Sequence, residues 1–338
     1  FDSSVPHNEM AVGGKECEFY AIVISPDGSS EMSEYSEEIK TPSTTNVDLA
    51  NLQNPVYEKF IETTLDENGV LNGITFKDDD KFNFAFDVVD EIAKKTPDKT
   101  AMLHVDNQGV ERRFTFSDMS RHSSMAANYF KSLGIKKGDK VLLILKRHHQ
   151  YWYIINALHR IGAIAIPAPN QLLAKDIEYR LNSAEVKMVI TTVDDNVPDA
   201  VDEAAKNAPS VELKMCVNGT RENWLDFDNS VGRFNKEFPR PADHKVSDPL
   251  LMFFSSGTSG YPKMVLHDHA YPLGHILTAR WWLNVQPNEL HFTISDTGWG
   301  KSAWGKHYGQ WLCEAQVLVF DFNRFHADEI LPLFKKHN

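Results

Sequence analysis

The chain has 338 residues, 35 of them basic and 47 acidic, which gives a formal net charge of −12. At about 150 residues per domain, this length predicts about two domains or one large α/β unit. Hydrophobic residues make up 42% and charged residues 24% of the chain, a balance typical of globular proteins that excludes disorder, collagen and coiled coil as descriptions of the whole. The acidic charge, without a long basic stripe, argues against nucleic-acid binding.

The cysteine content and hydropathy bear on the compartment. Cys17, Cys216 and Cys313 are few, odd in number and far apart, which indicates a reducing environment. We therefore expect a cytoplasmic protein, with the mitochondrial matrix as the alternative. No apolar run reaches the roughly 18 residues of a transmembrane helix, so none is predicted.

The first 83 residues differ from the rest of the chain. Residues 1–46 are predicted to be an appended segment, with a strand over 17–25, a turn at Pro26-Asp27-Gly28 and a second strand over 35–41. This segment weakly resembles the last hairpin of a fibronectin type III domain, and a simple tail is an equal alternative. Residues 47–83 are predicted to be an acidic, partly helical lead-in.

From residue 84 to 338 the pattern alternates between helix and strand. Apolar residues at helical spacing predict helices over 85–96, 118–133, 148–161, 171–183, 198–207 and 269–283. Apolar or aromatic runs predict strands over 114–117, 141–145, 163–167, 186–192, 211–217, 250–254, 264–267, 290–294 and 317–320. This order predicts an α/β fold with mostly parallel sheets covered by helices.

A glycine- and hydroxyl-rich loop follows the strand over 250–254. Its nine residues are Ser255, Ser256, Gly257, Thr258, Ser259, Gly260, Tyr261, Pro262 and Lys263. Glycines let the backbone approach a ligand closely, and successive backbone N–H groups can cradle an anion. The four hydroxyl groups add hydrogen-bond donors and the lysine adds a positive charge. The loop therefore predicts a polyphosphate site, whereas a surface turn is the structural alternative.

Two later segments imitate nucleotide motifs. The segment Gly300-Lys-Ser-Ala-Trp-Gly-Lys306 has the spacing of a Walker A loop, but His307 stands where the magnesium-binding hydroxyl belongs. The segment Gly298-Trp-Gly-Lys-Ser-Ala303 fits GxGxxA, but it holds a tryptophan where the backbone must approach a pyrophosphate. We predict that neither binds a nucleotide in those ways.

The loop and its flanks resemble the signature of a known family. Phe253-Phe-Ser-Ser-Gly-Thr-Ser-Gly-Tyr-Pro-Lys-Met-Val-Leu-His267 is similar to the signature of the AMP-forming adenylate synthetases, which include acyl-CoA synthetases. Ser295-Asp-Thr-Gly-Trp299 resembles the acetate and medium-chain acyl-CoA synthetase branch. The segments 137–141 and 158–168 match the family's early strand–helix–strand. The resemblance covers about residues 50–338, and the one departure is Thr-Ser where many members have Thr-Thr.

The resemblance implies an activity and its substrates. Family members join a carboxylic acid to ATP, giving an acyl-adenylate, and then pass the acyl group to CoA. By the match, residues 255–263 would hold the β- and γ-phosphates of ATP. Trp299 would line the acyl pocket, with Gly298 and Gly300 setting its width, and Thr297 could help to place the nucleotide or the carboxylate. The Mg²⁺ ligand is expected beyond Asn338, and neither a catalytic residue nor a metal ligand is assigned within the chain.

Two histidine-containing segments have simpler structural interpretations. In the segment His267-Asp-His269 adjacent residues on a strand alternate faces and no third ligand is obvious, so we predict no metal there. The segment Arg147-His148-His149 opens a helix, and we predict that it is solvated rather than catalytic.

The chain begins at Phe1 rather than Met, and we expect it to be the first half or more of a synthetase. The family's adenine-binding segment, ribose-binding Asp and mobile C-terminal domain with its catalytic Lys would follow Asn338. We therefore expect the chain to be inactive or very weak alone. Two alternatives stay open, namely an adenylating enzyme with another acceptor, such as a carrier-protein thiol, and a non-catalytic relative that acts as a binding scaffold.

Overall fold

The computed structural model describes residues 55–77, 79–255 and 260–337, together with the backbone of two short strands near the N-terminus. These strands, β1 (Val23–Ile24) and β2 (Ser30–Glu31), pair antiparallel. The chain divides into two units, Phe1–Gln53 and Asn54–Asn338. The predicted first strand thus contains β1, but the described return strand is β2, and residues 35–41 lie outside the described residues.

The second unit alternates strands and helices. Its strands are β3 (Ile61–Leu65), β4 (Leu71–Phe76), β5 (Thr100–Asp106), β6 (Glu111–Thr115), β7 (Lys140–Ile144), β8 (Ile164–Pro167), β9 (Met188–Thr192), β10 (Leu213–Val217), β11 (Leu225–Asp226), β12 (Pro249–Ser255), β13 (Lys263–Asp268), β14 (Leu290–Phe292) and β15 (Gln316–Asp321). Its α-helices are α1 (Glu91–Lys95), α2 (Phe116–Ser132), α3 (Gln150–Ile161), α4 (Ala174–Ser183), α5 (Val197–Ala205), α6 (Phe227–Val231), α7 (Tyr271–Leu277), α8 (Gly300–Lys306), α9 (Tyr308–Leu312) and α10 (Ala327–Lys336). A 3-10 turn spans Val56–Lys59, and π-helical turns precede α1 and follow α7.

The main sheet has seven strands in the order β11-β10-β9-β7-β8-β12-β13. All neighbours are parallel except β12 and β13, which form an antiparallel pair at one edge. Successive residues of β8 alternate between two apolar cores: Ala165 lies in one, and Ile164 and Ile166 lie in the other. The first core includes side chains of α2 and α3, and the second includes those of α4 and α5. Helices therefore cover both faces, as the continuous apolar strands predict.

The helix behind the sheet centre shows how the sequence sets its bounds. All twelve residues of α3 are buried, including Trp152, so this helix is surrounded by core. It ends at Gly162, whose φ of 80° lies in the left-handed region that favours glycine. The neighbouring α2 begins with a capping box in which Thr115 and Asp118 exchange hydrogen bonds. Both boundaries agree with the predicted helices to within two or three residues.

A second sheet has four strands in the order β14-β15-β5-β6. The first three are parallel, and β6 pairs antiparallel with β5. The sequence patterns did not reveal β5, which carries His104 within an otherwise apolar run. None of the helices in the described residues combines the length and apolar character needed to cross a bilayer.

The acidic lead-in is mostly a β-hairpin. Strands β3 and β4 pair antiparallel, and the only helical element in the described part of 55–77 is the 3-10 turn. The partly helical prediction was therefore incomplete. The hairpin escaped detection because most of its side chains face solvent and leave no apolar alternation. Val56 and Ile61 join the main core, so the lead-in packs with the second unit.

Candidate functional site

The predicted phosphate loop connects β12 to its antiparallel partner β13, which is the edge strand of the main sheet. Ser255 at the end of β12 pairs with Lys263 at the start of β13, and the Ser255 hydroxyl donates to the Lys263 carbonyl oxygen at 3.4 Å. Residues 256–259 lie outside the described residues. Because a strand rather than a helix follows the loop, no helix dipole supports an anion here. Binding of an anion at this loop would depend on the loop N–H groups, the hydroxyls and the exposed Lys263 side chain.

Helix α4 supports the second half of this loop. The Tyr179 hydroxyl donates to the Pro262 carbonyl oxygen at 3.0 Å, and its ring stacks on Tyr261 with centroids 4.8 Å apart. Gly260 has a φ of 103°, which a residue with a side chain rarely adopts. Tyr261 itself is 73% exposed. Tyr179 thus contacts the loop at both Tyr261 and Pro262.

The second motif, residues 295–300, links β14 to α8. Asp296, Thr297 and Gly298 are buried, but Trp299 is 59% exposed. The Thr297 backbone N–H and hydroxyl both donate to the Lys146 carbonyl oxygen, which is 3.4 Å from the Thr297 nitrogen. The Thr297 hydroxyl is therefore engaged by the protein itself. Its predicted contact with the nucleotide or the carboxylate stays a prediction.

Gly298 brings the second motif against the main sheet. A β-carbon at Gly298 would lie 2.2 Å from both the Ala168 carbonyl carbon and the Pro169 nitrogen. The backbones are thus in direct contact, and only glycine fits. A β-carbon at Gly300 would meet nothing within 4 Å. The two glycines, predicted together to set the pocket width, therefore differ. Gly298 is required by close backbone packing, whereas Gly300 has room for a side chain.

Strand register places the two motifs at the same edge of the main sheet. Leu251 in β12 is paired with Ala165 in β8, and these strands are parallel. Ser255 and Pro169 each follow that pair by four residues, so they reach the same level at the carboxyl edge of the sheet. The phosphate loop starts at Ser255, and Gly298 rests on Pro169. Ligands of parallel α/β sheets bind at this edge.

A buried charge cluster supports the second motif. Arg147 Nη1 lies 3.1 Å from Asp296 Oδ2, and both side chains are more than nine-tenths buried. Nearby, burial and then the Arg147 guanidinium lower the pKa of Lys306 to about 7. Lys306, the lysine of the Walker-like segment, is thus buried at the end of α8, and the prediction that this segment binds no nucleotide stays a prediction.

The structure corrects the predicted solvation of the segment 147–149, because all three side chains are largely buried. Burial alone would lower the pKa of His148, but hydrogen bonds to Asp194 and Asp321 raise it to about 9. Burial and the neighbouring His104 lower the pKa of His149 to about 3. His148 is therefore charged at neutral pH and unsuited to act as a general base.

His267 and His269 each lie beside another aromatic ring. The His267 ring lies 4.1 Å from Tyr271, and the His269 ring lies 4.5 Å from His244, measured between centroids. Within residues 55–77, 79–255 and 260–337, no three His, Cys, Asp or Glu side chains come together as a metal site would require. The expected position of the Mg²⁺ ligand beyond Asn338 stays a prediction.

Sequence reasoning missed the residues that support the site. The pair Arg147–Asp296 spans 149 residues, so no local pattern could have identified it. One signal was available: Lys146, Arg147 and His148 form a basic run at the carboxyl end of the buried strand β7. Charged side chains in that position are paired when they are buried, and their partners must come from elsewhere in the chain.

The chain is similar to known proteins. The family model described as "AMP-binding enzyme" matches residues 89–338, most of the chain. The chain belongs to the AMP-binding enzyme family. Its relatives include the human mitochondrial acyl-coenzyme A synthetase ACSM3, 34% identical over 76% of this chain and 44% of that protein. Human mitochondrial ACSM4 is 33% identical over 74% of this chain and 44% of that protein.

Solved structures share the fold of this AMP-binding chain. A Brucella canis acyl-CoA synthetase matches with a TM-score of 0.67 and 21% identity, over 76% of this chain and 46% of that one. The anthranilate CoA ligase AuaEII, in complex with anthranoyl-AMP, matches with a TM-score of 0.67 and 22% identity, over 76% and 48%. These matches confirm the predicted α/β fold. The chain spans about half the length of the curated relatives it matches.

Proposed function

We propose that this chain contributes the phosphate loop and the acid-pocket tryptophan of an AMP-forming acyl-CoA synthetase. The observation that carries the proposal is the meeting of the two motifs at one sheet edge, with Ser255 and Pro169 level and Gly298 against Pro169. Membership of the AMP-binding family and the acyl-CoA synthetase relatives support it. A surface turn would have no reason to lie beside a second motif.

The proposed reaction has two steps. A carboxylate oxygen of the acid attacks the α-phosphorus of ATP, a P–O bond forms, and pyrophosphate leaves. The CoA thiolate then attacks the acyl carbon, and AMP leaves. Residues 255–263 would hold the β- and γ-phosphates, so that charge developing on pyrophosphate meets hydroxyls, loop N–H groups and Lys263. Mg²⁺, once bound, would neutralise phosphate charge.

Trp299 would form one wall of the acid pocket. Trp299 is 59% exposed and directly follows the buried residues 296–298, so an apolar acyl group could cover its ring. The mitochondrial relatives favour the matrix over the cytoplasm as the compartment.

The test is acid-dependent exchange of labelled pyrophosphate into ATP. It should be run on this chain and on the longest natural product of its gene, with acetate to octanoate and benzoate. We expect exchange in the long product, and Lys263→Ala should lower its rate by about tenfold to a thousandfold, because one charged donor to the leaving group is lost. Lys236→Ala, which removes another exposed lysine, is the control and should leave the rate unchanged.

The outcomes separate the alternatives. Exchange without CoA-dependent thioester formation would favour another acceptor, such as a carrier-protein thiol. Absence of exchange with every acid, together with no thermal stabilisation by ATP and Mg²⁺, would favour the non-catalytic scaffold. An unchanged rate in Lys263→Ala would refute the assignment of the phosphate loop.

A further inference from the structure

Three consecutive basic residues tie the end of β7 to three other segments. Lys146 Nζ contacts Asp194 Oδ2 at 2.9 Å, just beyond β9. His148 Nδ1 contacts Asp321 Oδ2 at 2.5 Å, at the end of β15. Arg147 contacts Asp296 at 3.1 Å, in the second motif. Of the three side chains, only that of Arg147 reaches the segment that carries Trp299.

Asp296 passes this contact on to the backbone before Trp299. Its Oδ2 accepts from Arg147, and its Oδ1 accepts from the Gly298 backbone N–H at 3.0 Å. Its carbonyl oxygen accepts from the Trp299 backbone N–H at 3.1 Å. Hydrogen bonds through Asp296 therefore link the Arg147 guanidinium to the backbone N–H groups of Gly298 and Trp299.

The backbone of the second motif also contacts Lys146, the residue before Arg147. The Lys146 carbonyl oxygen accepts from Thr297, and Lys146 has a φ of 47°, in the left-handed region that non-glycine residues rarely adopt. Such conformations persist only where surrounding contacts hold them, and they cluster at functional sites. Lys146 and Arg147 thus hold the second motif through main chain and side chain respectively.

The chemistry of this site requires arginine rather than any cation. Arg147 uses one terminal nitrogen for Asp296 and the other for the Phe322 carbonyl oxygen, while its guanidinium lies 3.9 Å from the centre of the Phe322 ring. A planar fork with two separated donors suits this arrangement, and a lysine ammonium cannot reproduce it. The pair is buried, so loss of either partner leaves an uncompensated group.

We propose that Arg147 is a positioning residue of the acid site: through Asp296 it fixes the backbone over 296–299, and with it the place of Trp299 beside the acid. Arg147 is itself 7% exposed, and its two terminal nitrogens donate to Asp296 and to the Phe322 carbonyl oxygen, so it acts through the loop. Trp299, being largely exposed, depends on its backbone for its position. This inference rests on the proposed function, which it deepens by naming what controls acid selectivity.

The kinetic test uses Arg147→Lys, Asp296→Asn and the double variant in the longest gene product. Arg160→Lys is the matched control, because Arg160 forms another buried pair, 2.6 Å from Asp90, without touching the second motif. We expect Arg147→Lys to raise KM for the acid about tenfold or more and to change the ranking of acids by kcat/KM, with KM for ATP within about twofold. Asp296→Asn should act alike, and the double variant should be no worse than the more severe single one. Arg160→Lys should keep the ranking.

A second test is independent of activity. Hydrogen exchange of the Thr297, Gly298 and Trp299 amides is measured in this chain. We expect exchange about tenfold or more faster in Arg147→Lys, and no change at these amides in Arg160→Lys. Equal rates of amide hydrogen exchange in the wild type and Arg147→Lys would overturn the proposal. Parallel increases in KM for acid and for ATP would overturn it as well. If the wild type catalyses no pyrophosphate exchange, the proposed function fails and the amide exchange alone decides whether Arg147 holds the loop. Asp296→Asn serves in the same test if Arg147→Lys does not fold.

Discussion

Gly298→Ala is the substitution for which the structure gives the largest steric effect at the site. The new β-carbon would lie 2.2 Å from two backbone atoms, whereas contacts of real β-carbons are almost never below 3.0 Å. Backbone atoms of Ala168 and Pro169 cannot rotate away as a side-chain tip would, so the loop and the sheet edge must separate by about 1 Å. Overpacking of this kind costs about 1–3 kcal/mol.

A matched control is available two residues away. Gly300 begins α8, and a β-carbon there meets nothing within 4 Å. Alanine lowers the entropy of the unfolded chain and favours helix, so Gly300→Ala should be neutral or more stable by about 0.5–1 kcal/mol. Because the same entropic gain accompanies Gly298→Ala, the difference between the two variants isolates the steric contact.

The assay is thermal and urea unfolding of both variants beside the wild type. We expect Gly298→Ala to lower Tm by about 1–4 °C and Gly300→Ala to leave it equal or slightly higher. In the longest gene product, Gly298→Ala should also raise KM for the acid more than KM for ATP, because the displaced backbone carries Trp299. If Gly298→Ala were as stable as Gly300→Ala, the direct backbone contact would be refuted.

Two further predictions concern pH. Burial lowers the pKa of His269 to about 3 in the folded chain, against about 6.5 when unfolded, so the unfolded state binds more protons between these values and stability falls with acid. His269→Leu should therefore reduce the loss of unfolding free energy between pH 7 and pH 5 by about 2 kcal/mol, measured by urea titration at both values; an unchanged loss would contradict the burial of a neutral ring. Lys306, with its pKa lowered to about 7, makes stability rise with pH between about 7 and 10, since the unfolded lysine is protonated there. Lys306→Met should raise the unfolding free energy at pH 7 by about 1–3 kcal/mol and remove this rise, and retention of the rise would show that another group causes it.

The parts of the fold that sequence could predict are those with a local physical signal. β8 was predicted almost to the residue, because a strand buried on both faces is a continuous apolar run ended by Pro167. β5 was missed because His104 interrupts its apolar run, and because one of its partners, β15, lies more than 200 residues later and leaves no local pattern. The hairpin of β3 and β4 was missed for the opposite reason, since its exposed side chains were under no constraint to alternate.

The candidate site divides in the same way. Residues 255–263 stand out locally because glycines, hydroxyls and a lysine are concentrated behind a buried strand. The contact of Gly298 with Ala168 and the pair Arg147–Asp296 could not be predicted, because each joins segments more than a hundred residues apart. Composition identifies groups that suit a ligand, but only the folded chain shows which distant groups hold them.

The exposures within the second motif indicate how such a site can change its selectivity. Trp299 is 59% exposed and free to form the proposed pocket wall, whereas Asp296 and Gly298 are buried beneath it in the chain's own core packing. Substitution of the exposed residue changes the shape of the pocket wall at little cost in stability. Substitution of a buried residue that supports the motif displaces Trp299 without changing its side chain. It also costs stability, because a charge or a close contact is left unsatisfied. If the proposed site is right, acid preference should therefore depend on the buried Arg147 as strongly as on the exposed Trp299.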